Sequence, residues 1–380
     1  MICVLELSLV VLLLSCSSKV ERVGKQADLS GKQAESLTIK NELIAESDDY
    51  ITGLAKLNKF SGSVLIAHRG NVLLSKGYGM ADIEHEVPNT PETKFRLASV
   101  TKQFTSMVIM ILQEKGELSV HNPVCNFVPD CPAAWQEITI HHLLTHTSGI
   151  PSFTGFPDNL QYERLPTTVE KTVERFKHKA LKFSPGTAFS YSNSGYVLLG
   201  YVIEQITGRL YEEVVTENIF EPLGMENSGY DHPSTILAHR AHGYARKEGK
   251  LINAIHFEMD TPHAAGGLYS TVEDLFLWDQ ALYTTKLVSQ EALDAIFTPY
   301  KDKYGYGWGI REHDDRKIFE HGGGISGFST RITRIPEEKA CIIVLSNFPF
   351  GSVGKMSEDL VKIVLGEKGD ETDKSRSVSP

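Results

Sequence analysis

The stretch FRLASVTKQFT, residues 95–105, places a serine hydroxyl and a lysine amine three positions apart at the start of a predicted helix. Apolar side chains between Val100 and Leu112 cover most of the circumference of this helix, so we expect it to be buried. Residues i and i+3 of a helix share a face, which makes Ser99 and Lys102 neighbours. Burial favours an uncharged lysine, and an uncharged amine can take the proton of a serine hydroxyl. The stretch is therefore a candidate for nucleophilic catalysis, while helix capping is the other interpretation of Ser99.

The same Ser-x-x-Lys spacing occurs a second time, at Ser352 and Lys355 near the C-terminus. At ordinary serine and lysine frequencies, a chain of this length contains about one or two such spacings by chance. No candidate partner motif follows Ser352, whereas two such motifs follow Ser99. The choice between the two serines therefore depends on the later motifs.

Those later motifs are YSN at 191–193, which follows SPG at 184–186, and HGGG at 321–324. A phenol and an amide brought together on a loop can shuttle a proton and hold a substrate. Glycines between two strand patterns let a substrate approach the backbone and add as a further strand. Each motif alone is also typical of an ordinary turn or a glycine hairpin. Their order and wide spacing after Ser99 favour a shared site.

Together the three motifs resemble the serine β-lactamase and penicillin-binding-protein superfamily, in which Ser-x-x-Lys precedes a second and a third motif in this order. The resemblance covers about residues 55–350 and is closest to the class C β-lactamase-like branch, because the second motif is Tyr-x-Asn. It implies an α/β fold of the β-lactamase/transpeptidase type, with an antiparallel sheet flanked by helices and a mostly helical subdomain. Further stretches that look like this branch are FSGSVLIAHRG, ITIHHLLTHTSGIP, FSPGTAFSYSNSGYVLLG and AAGGLYSTVEDLFLW.

The resemblance also implies a serine hydrolase that forms an acyl-enzyme on amide or ester substrates and needs no cofactor or metal. The roles it implies are Ser99 as nucleophile, Lys102 as activating base, Tyr191 as proton donor or acceptor, Asn193, His321 and Gly323 as substrate-binding residues, and the N–H groups of Ser99 and Gly324 as the oxyanion hole. The alternative from another class is a catalytically inactive penicillin-recognising sensor or scaffold for cell-wall peptides.

The third motif departs from Lys-Thr-Gly, since His321 replaces the lysine and Gly322 the threonine. The loss of a permanent charge and a hydroxyl weighs against tight binding of a β-lactam carboxylate. We therefore rank D-amino-acid peptides and esters before β-lactams as substrates. A histidine at the acyl site is also expected to tune activity between about pH 5 and 8.

Other classes of site fit less well. An α/β-hydrolase would use His-Gly-Gly-Gly as an oxyanion motif, but its Gly-x-Ser-x-Gly elbow is missing from the sequence. His142 and His146 stand at i and i+4 like zinc ligands, but residue 143 is leucine where a metallopeptidase helix has glutamate, so we interpret both histidines as structural. A net charge of −10 without a basic stripe disfavours nucleic acid as a partner. A small-molecule or peptide substrate remains, and the sequence leaves the oligomeric state open.

The N-terminus predicts export. Residues 1–16 form a short apolar run that suits a signal peptide and ends in a sequence resembling a bacterial lipobox, with Cys16 as the lipidated residue. No Lys or Arg precedes the run and Glu6 lies inside it, so plain secretion and an uncleaved anchor stay open. Lipidation would make the protein an extracytoplasmic, membrane-anchored lipoprotein facing the periplasm.

The remaining chain divides into a flexible tether at 17–40, a hydrolase domain at 41–366 with a helical insertion at about 116–260, and a disordered tail at 367–380. Strands are expected on both sides of the insertion, and one of them is predicted at Tyr304–Arg311. Cys125 and Cys131 lie close enough in sequence for a disulfide, but two unpaired buried thiols fit equally well. Cys341 opens an apolar strand and is expected in the core.

Overall fold

The computed structural model describes residues 38–348 and 353–367. The predicted signal peptide with Cys16, the tether up to residue 37, Ser352 and the tail from residue 368 lie outside the described residues. The chain divides between Asp49 and Tyr50 into two units. The described part of the first unit, residues 38–49, is helical and belongs to helix α1, which covers 38–56. All other described elements belong to the second unit.

The centre of the second unit is a six-stranded antiparallel sheet with the order β10-β11-β12-β13-β1-β2. Its strands come from both ends of the domain, as the sequence predicts. They are β1 (Gly62–His68), β2 (Asn71–Tyr78), β10 (Gly309–His313), β11 (Arg316–Ile325), β12 (Phe328–Ile335) and β13 (Ala340–Ser346). The mixed α/β class with an antiparallel sheet and flanking helices is thus confirmed.

The predicted strand at Tyr304–Arg311 is wrong in its first half, because β10 begins only at Gly309. Residues 304–308 form a loop in which Gly307 adopts a positive φ of 78°. This loop packs closely on the helix that follows Ser99, since a Cβ on Gly307 would lie 2.8 Å from the backbone oxygen of Lys102. Gly307 therefore serves a close approach between loop and helix rather than a strand.

The two faces of the sheet contact two different hydrophobic cores. In β13, Ile342 and Val344 join the core that contains the final helix α11 (Val353–Val364), whereas Ile343 and Leu345 join the larger core on the other face. A strand buried on both faces explains the uninterrupted apolar run in its sequence. The larger core includes helix α2 (Thr101–Glu114), whose residues from Thr101 to Leu112 are all buried, as predicted.

Helices dominate the region between β5 and β9, and three small sheets accompany them: β3 with β4, β5-β9-β6, and β7 with β8. The further helices are α3 (Ile140–Leu144), α4 (Asn159–Tyr162), α5 (Val169–Lys177), α6 (Asn193–Thr207), α7 (Tyr211–Val215), α8 (Glu221–Leu223), α9 (Val272–Ala281) and α10 (Gln290–Ile296). The short strands are β3 (Met80–Asp82), β4 (Val87–Pro88), β5 (Phe95–Arg96), β6 (Gly229–Tyr230), β7 (Tyr244–Lys247), β8 (Lys250–Asn253) and β9 (Leu268–Ser270).

Local signals explain where several helices begin and end. The side chains of Thr168, Thr271 and Ser289 accept backbone N–H bonds from the first turns of α5, α9 and α10. These caps satisfy donors that have no partner inside the helix. Helix α6 ends at Thr207, and the following Gly208 takes the left-handed conformation (φ 65°) that glycine adopts without a steric penalty.

The cysteines divide into a bridge and a core thiol. Cys125 and Cys131 form a disulfide with an S–S distance of 2.04 Å, which decides between the two alternatives that the sequence left open. Cys341 is a buried free thiol in β13. Within residues 38–348 and 353–367, no helix combines the length and the apolar character that crossing a membrane requires.

Candidate active site

Ser99 lies in a single 3₁₀ turn, Ala98–Val100, directly before helix α2. Ala98 has a positive φ of 49°, an uncommon conformation for a residue with a Cβ, so the turn depends on its surroundings. The preceding Leu97 supplies them: its N–H donates to Leu268 (2.8 Å) and its oxygen accepts from the Thr330 hydroxyl (2.8 Å). The turn that carries Ser99 is thus fixed between the small sheet β5-β9-β6 and strand β12.

Lys102 is completely buried, and its amine reaches three oxygens. Nζ lies 3.0 Å from Ser99 Oγ, 2.9 Å from Asn193 Oδ1 and 2.8 Å from the backbone oxygen of Ala265. The structure therefore brings together two of the residues that the spacing predicts as neighbours and joins them to the second motif. The Ala265 oxygen, 163 positions away in the sequence, is a contact that the sequence did not indicate.

The burial of Lys102 favours its uncharged form. Burial lowers its pKa well below the ordinary 10.5, and among the described residues no carboxylate bonds to Nζ to offset this effect. An uncharged amine has two N–H groups and one lone pair. The oxygens of Asn193 and Ala265 can only accept, so they take both N–H groups and leave the lone pair facing Ser99 Oγ. The amine is therefore oriented to accept the serine proton.

Tyr191 completes the surroundings of the serine. Its hydroxyl lies beside Ser99, and its ring lies 5.0 Å from Lys102 Nζ. Desolvation of the hydroxyl raises the pKa of Tyr191 above its ordinary value although 37% of the residue is exposed, so the phenol carries its proton at neutral pH. A protonated phenol next to the serine can donate a proton to an atom that departs from the acyl carbon.

His146 positions Tyr191 through hydrogen bonds to the residues before and after it in the chain and through contact between the two rings. The His146 backbone oxygen accepts the N–H of Ser190 (3.0 Å), and His146 Nδ1 accepts the N–H of Ser192 (3.2 Å). The imidazole and the phenol rings have centroids 4.2 Å apart. Burial and the nearby Lys102 lower the pKa of His146 well below 6.5, so the ring stays uncharged. Sequence analysis missed this contact, although the THTSG stretch before YSN marks a histidine on a loop.

Asn193 is the first residue of α6, and the oxygen and nitrogen of its side-chain amide contact different residues. Its Oδ1 accepts from Lys102, whereas its Nδ2 lies 3.4 Å from the Thr154 hydroxyl. The Asn193 N–H donates to the Ser152 hydroxyl at 3.1 Å, which fixes the start of the helix. Its Nδ2 contact is long, so this group can turn to a substrate carbonyl.

The structure places His321 beside Tyr191, with ring centroids 6.2 Å apart. Both ring nitrogens of His321, however, form hydrogen bonds within the protein. Nδ1 lies 2.7 Å from the Gly322 oxygen and Nε2 lies 2.8 Å from the Tyr304 hydroxyl. A backbone oxygen can only accept, so Nδ1 carries the proton and Nε2 accepts from Tyr304. Tyr304 is a second residue that sequence analysis missed, and the repeated Tyr-Gly pattern at 304–307 was its signal.

The expectation that His321 titrates between about pH 5 and 8 is wrong. Burial lowers the pKa of His321 to about 3, and the nearby Lys102 acts in the same direction. Only 8% of the residue is exposed. Water cannot stabilise an imidazolium there, and no carboxylate is among the groups that shift its pKa. The ring is therefore uncharged throughout the pH range in which the site would work.

Strand β11 has an open edge beside the serine. β10 pairs with it only from Arg316 to Glu320, so no described strand covers residues 321–325 on that side. The two-residue turn after Ile325 makes Ile325 and Phe328 a hydrogen-bonded pair. The pairing alternates along an antiparallel ladder, so the N–H of Gly324 points to the open edge. An extended substrate can therefore bind there as an extra strand.

The two glycines before this turn differ in what surrounds them. A Cβ on Gly323 would lie 2.2 Å from the Leu97 oxygen and 2.4 Å from the Thr330 hydroxyl oxygen. A Cβ on Gly324 would meet no atom within 4 Å. Gly323 thus lets the strand pass directly beside the turn that carries Ser99, while Gly324 borders the open cleft.

Residues that could hold a metal lie elsewhere. His142 Nδ1 accepts the N–H of Thr139 at the start of α3, and His146 lies beyond the end of that helix. The described residues with metal-ligand atoms close enough together are His313, Asp314 and Glu367. His313 pairs with Arg316 at the end of β11 opposite to Gly324, so this group is not part of the serine site.

Comparisons with known proteins agree with the fold and the motifs. A family model described as Beta-lactamase matches residues 48–364. Penicillin-binding protein 4* of Bacillus subtilis (strain 168) is 32% identical over 317 residues, which is 77% of this chain and 69% of that protein. Among solved structures, a penicillin binding protein from Bacillus halodurans is 30% identical with a TM-score of 0.72, covering 82% of this chain and 97% of that one. The octameric penicillin-binding protein homologue from Pyrococcus abyssi is 32% identical with a TM-score of 0.75, covering 86% and 78%. The chain therefore belongs to the Beta-lactamase family.

Proposed function

We propose that the protein is a serine acyl hydrolase in which Ser99 attacks an amide or ester carbonyl and forms an acyl-enzyme. The observation that carries this proposal is the buried Lys102 amine, which lies 3.0 Å from Ser99 Oγ and bonds to no carboxylate of the described residues. A serine next to an uncharged amine has the base that a weak nucleophile needs.

In the acylation step, Lys102 accepts the Ser99 proton while Oγ bonds to the carbonyl carbon. The negative charge that develops on the carbonyl oxygen is stabilised by the N–H groups of Ser99 and Gly324. Removal of one such donor typically costs about 100- to 1,000-fold in rate. The resulting ammonium is destabilised by the same burial that lowers the pKa of Lys102, so it readily passes its proton on.

Tyr191 delivers a proton to the leaving group. Its hydroxyl lies beside Ser99, and therefore close to the attacking oxygen and to the acyl carbon from which the leaving group departs. The phenol donates its proton as the carbon–nitrogen or carbon–oxygen bond breaks and recovers one from Lys102. A water molecule then attacks the acyl-enzyme by the reverse route, giving the acid product and a free Ser99.

For substrates, we propose D-amino-acid peptides or esters first and β-lactams as a side activity. Asn193 Nδ2 and the open edge of β11 suit a peptide-like acyl group. The name of a relative, Penicillin-binding protein 4*, supports keeping β-lactams among the candidate substrates. The uncharged His321, with both nitrogens bonded inside the protein, offers no positive charge for a β-lactam carboxylate.

The experiment is hydrolysis of p-nitrophenyl acetate, a D-Ala-D-Ala peptide and nitrocefin by wild type, Ser99→Ala and Ser352→Ala. We expect Ser99→Ala to abolish turnover and Ser352→Ala to retain it. Equal activity of wild type and Ser99→Ala would refute the proposal. Reversible binding of a penicillin without turnover or covalent adduct in the wild type would favour the sensor instead.

We also propose that the protein is exported and anchored through a lipid on Cys16. The disulfide between Cys125 and Cys131 supports export, because such bonds persist in oxidising compartments. Mass spectrometry of the mature N-terminus tests the proposal. A diacylated Cys16 in the membrane fraction is expected, and Cys16→Ser should release the protein. An intact N-terminus that begins at Met1 would contradict it.

A further inference from the structure

A cavity of about 410 Å³ opens where β11 passes beyond Gly324. Its wall includes Ser326, which lies two residues after Gly324, and Arg96, which lies three residues before Ser99. Ser326 follows the end of β11, and two residues of chain span at most about 7 Å, so the cavity begins within reach of a substrate bound at the serine. None of its lining residues is among the groups that carry out the acylation.

The walls of this cavity are basic. Arg96, Arg240, His242 and His256 line it, and none of its lining residues is Asp or Glu. This is unexpected in a chain with a net charge of −10. A pocket of one charge sign concentrates ligands of the opposite sign.

One buried carboxylate lies behind the arginines and neutralises only part of their charge. Asp231, which is 1% exposed, lies 2.6 Å from Arg96 Nε and 2.8 Å from Arg240 Nη2. It fixes the two guanidinium groups side by side. Two arginines against one carboxylate leave one unit of positive charge. Among the described residues no bond is made by the terminal nitrogens of Arg96, so donors remain for a ligand.

The site geometry also decides which part of the substrate reaches the cavity. The proton for the leaving group comes from Tyr191, which lies beside His321 at one end of the open edge. The leaving group must therefore lie at the His321 end. The acyl portion extends along β11 in the other direction, past Gly324 toward Ser326 and the arginines.

We propose that this cavity binds a carboxylate carried by the acyl portion of the substrate, with Arg240 and Arg96 as its anion-binding residues. The inference rests on the proposed acyl transfer at Ser99 and specifies its substrate class. A carboxylate can accept two N–H bonds from a guanidinium, which fixes its position as well as its charge. The preferred substrate is then a peptide or ester whose acyl group ends in, or bears, an anionic group.

The test compares kcat/KM for two matched p-nitrophenyl esters. The adipate monoester and the hexanoate ester share the same chain and differ only in a terminal carboxylate or methyl group, and the 6-aminohexanoate ester supplies a cation. We expect adipate to exceed hexanoate by about 10-fold or more, because hydrogen bonds to charged groups contribute about that factor. The 6-aminohexanoate ester should be the poorest of the three.

Arg240→Gln should reduce the adipate-to-hexanoate ratio to near one, whereas Arg246→Gln, on β7 outside the cavity, should keep the wild-type ratio. High NaCl should also reduce the wild-type ratio, which gives a readout without any variant. A ratio at or below one in the wild type, or an unchanged ratio in Arg240→Gln, would overturn the pocket inference while Ser99-dependent ester hydrolysis stands. Turnover that persists in Ser99→Ala would overturn the proposed function itself.

Discussion

Two lysines of this chain stand three residues after a serine, and they lie in opposite environments. Lys102 near the start of α2 is fully buried and contacts three uncharged oxygens. Lys355 in the final helix α11 has a 63% exposed side chain and pairs with Asp359 at 3.1 Å. The sequence spacing is the same, but only Lys102 sits where water and a carboxylate are both kept from its ammonium form.

The comparison teaches that a Ser-x-x-Lys motif gains its chemistry from burial. Taking an amine out of water without a counter-charge lowers its pKa and makes it a base. The acceptors around that amine then decide where its lone pair points. Both conditions come from residues far away in the sequence, such as Asn193 and Ala265.

The most direct test of this difference is to remove the amines of Lys102 and Lys355 in separate variants. Lys102→Met should lower kcat/KM for an ester by about 100- to 10,000-fold, which is the usual contribution of a general base. Lys355→Met should leave the rate within about 2-fold, because its ammonium lies at the surface. Steady-state kinetics of the two variants measure this difference. Equal losses in both would show that burial does not distinguish the lysines.

The packing of β11 against the turn that carries Ser99 predicts a smaller effect. Gly323→Ala would push a methyl group against the Leu97 oxygen and displace the turn that carries Ser99. We expect about 1–3 kcal/mol of lost stability and about a 100-fold loss of kcat/KM, as for a catalytic group displaced by about 1 Å.

Gly324→Ala is the matched control for stability, since its methyl group meets no atom within 4 Å. Its unfolding free energy should stay within about 0.5 kcal/mol of wild type. Urea unfolding of both variants provides the measurement. A Gly323→Ala protein as stable as Gly324→Ala would contradict the close packing of β11 on the serine turn.

His146 provides the next test, because it acts through Tyr191. His146→Phe keeps a ring against the phenol but removes the acceptor of the Ser192 N–H. We expect kcat to fall about 10-fold with little change in KM, since a displaced proton donor affects the chemical step. His146→Asn retains an acceptor near the position of Nδ1 and tolerates the left-handed backbone (φ 57°), so it should recover part of the rate.

A double-mutant cycle separates positioning from general damage. If His146 acts by holding the phenol, His146→Phe should have almost no further effect on kcat in a Tyr191→Phe protein. The same 10-fold loss in both backgrounds would mean that His146 does not act through Tyr191.

The uncharged His321 predicts a pH effect on stability. Its pKa is about 3 in the folded protein and ordinary, near 6.5, in the unfolded chain. Between these values only the unfolded chain binds the proton, so stability falls as the pH decreases from 6.5 toward 3. The slope is about 1.4 kcal/mol per pH unit for one such group. Urea unfolding at pH 7 and 5 should therefore show a smaller loss for His321→Asn than for wild type. An equal loss would contradict a buried, uncharged His321.

The sequence was sufficient for the motifs and most of the sheet, but not for contacts between distant loops. Ser99 and Lys102 are neighbours because i and i+3 share a helical face, and the strands expected on both sides of the helical insertion are β1, β2 and β10–β13. The roles of His146 and Tyr304 depend on tertiary contacts to residues 191, 192 and 321. The pKa of His321 could not be predicted because burial of a single ring has no local sequence signal.

The central claim is that Lys102 is an uncharged base for Ser99 at neutral pH. The most direct test is the rate at which a fluorophosphonate labels the protein as a function of pH, followed by intact-protein mass spectrometry. We predict one adduct, located on Ser99 and absent from Ser99→Ala, whose rate of formation rises with an apparent pKa well below the ordinary 10.5 of lysine. Labelling that begins only as the pH approaches 10.5, or that persists in Ser99→Ala, would contradict the account.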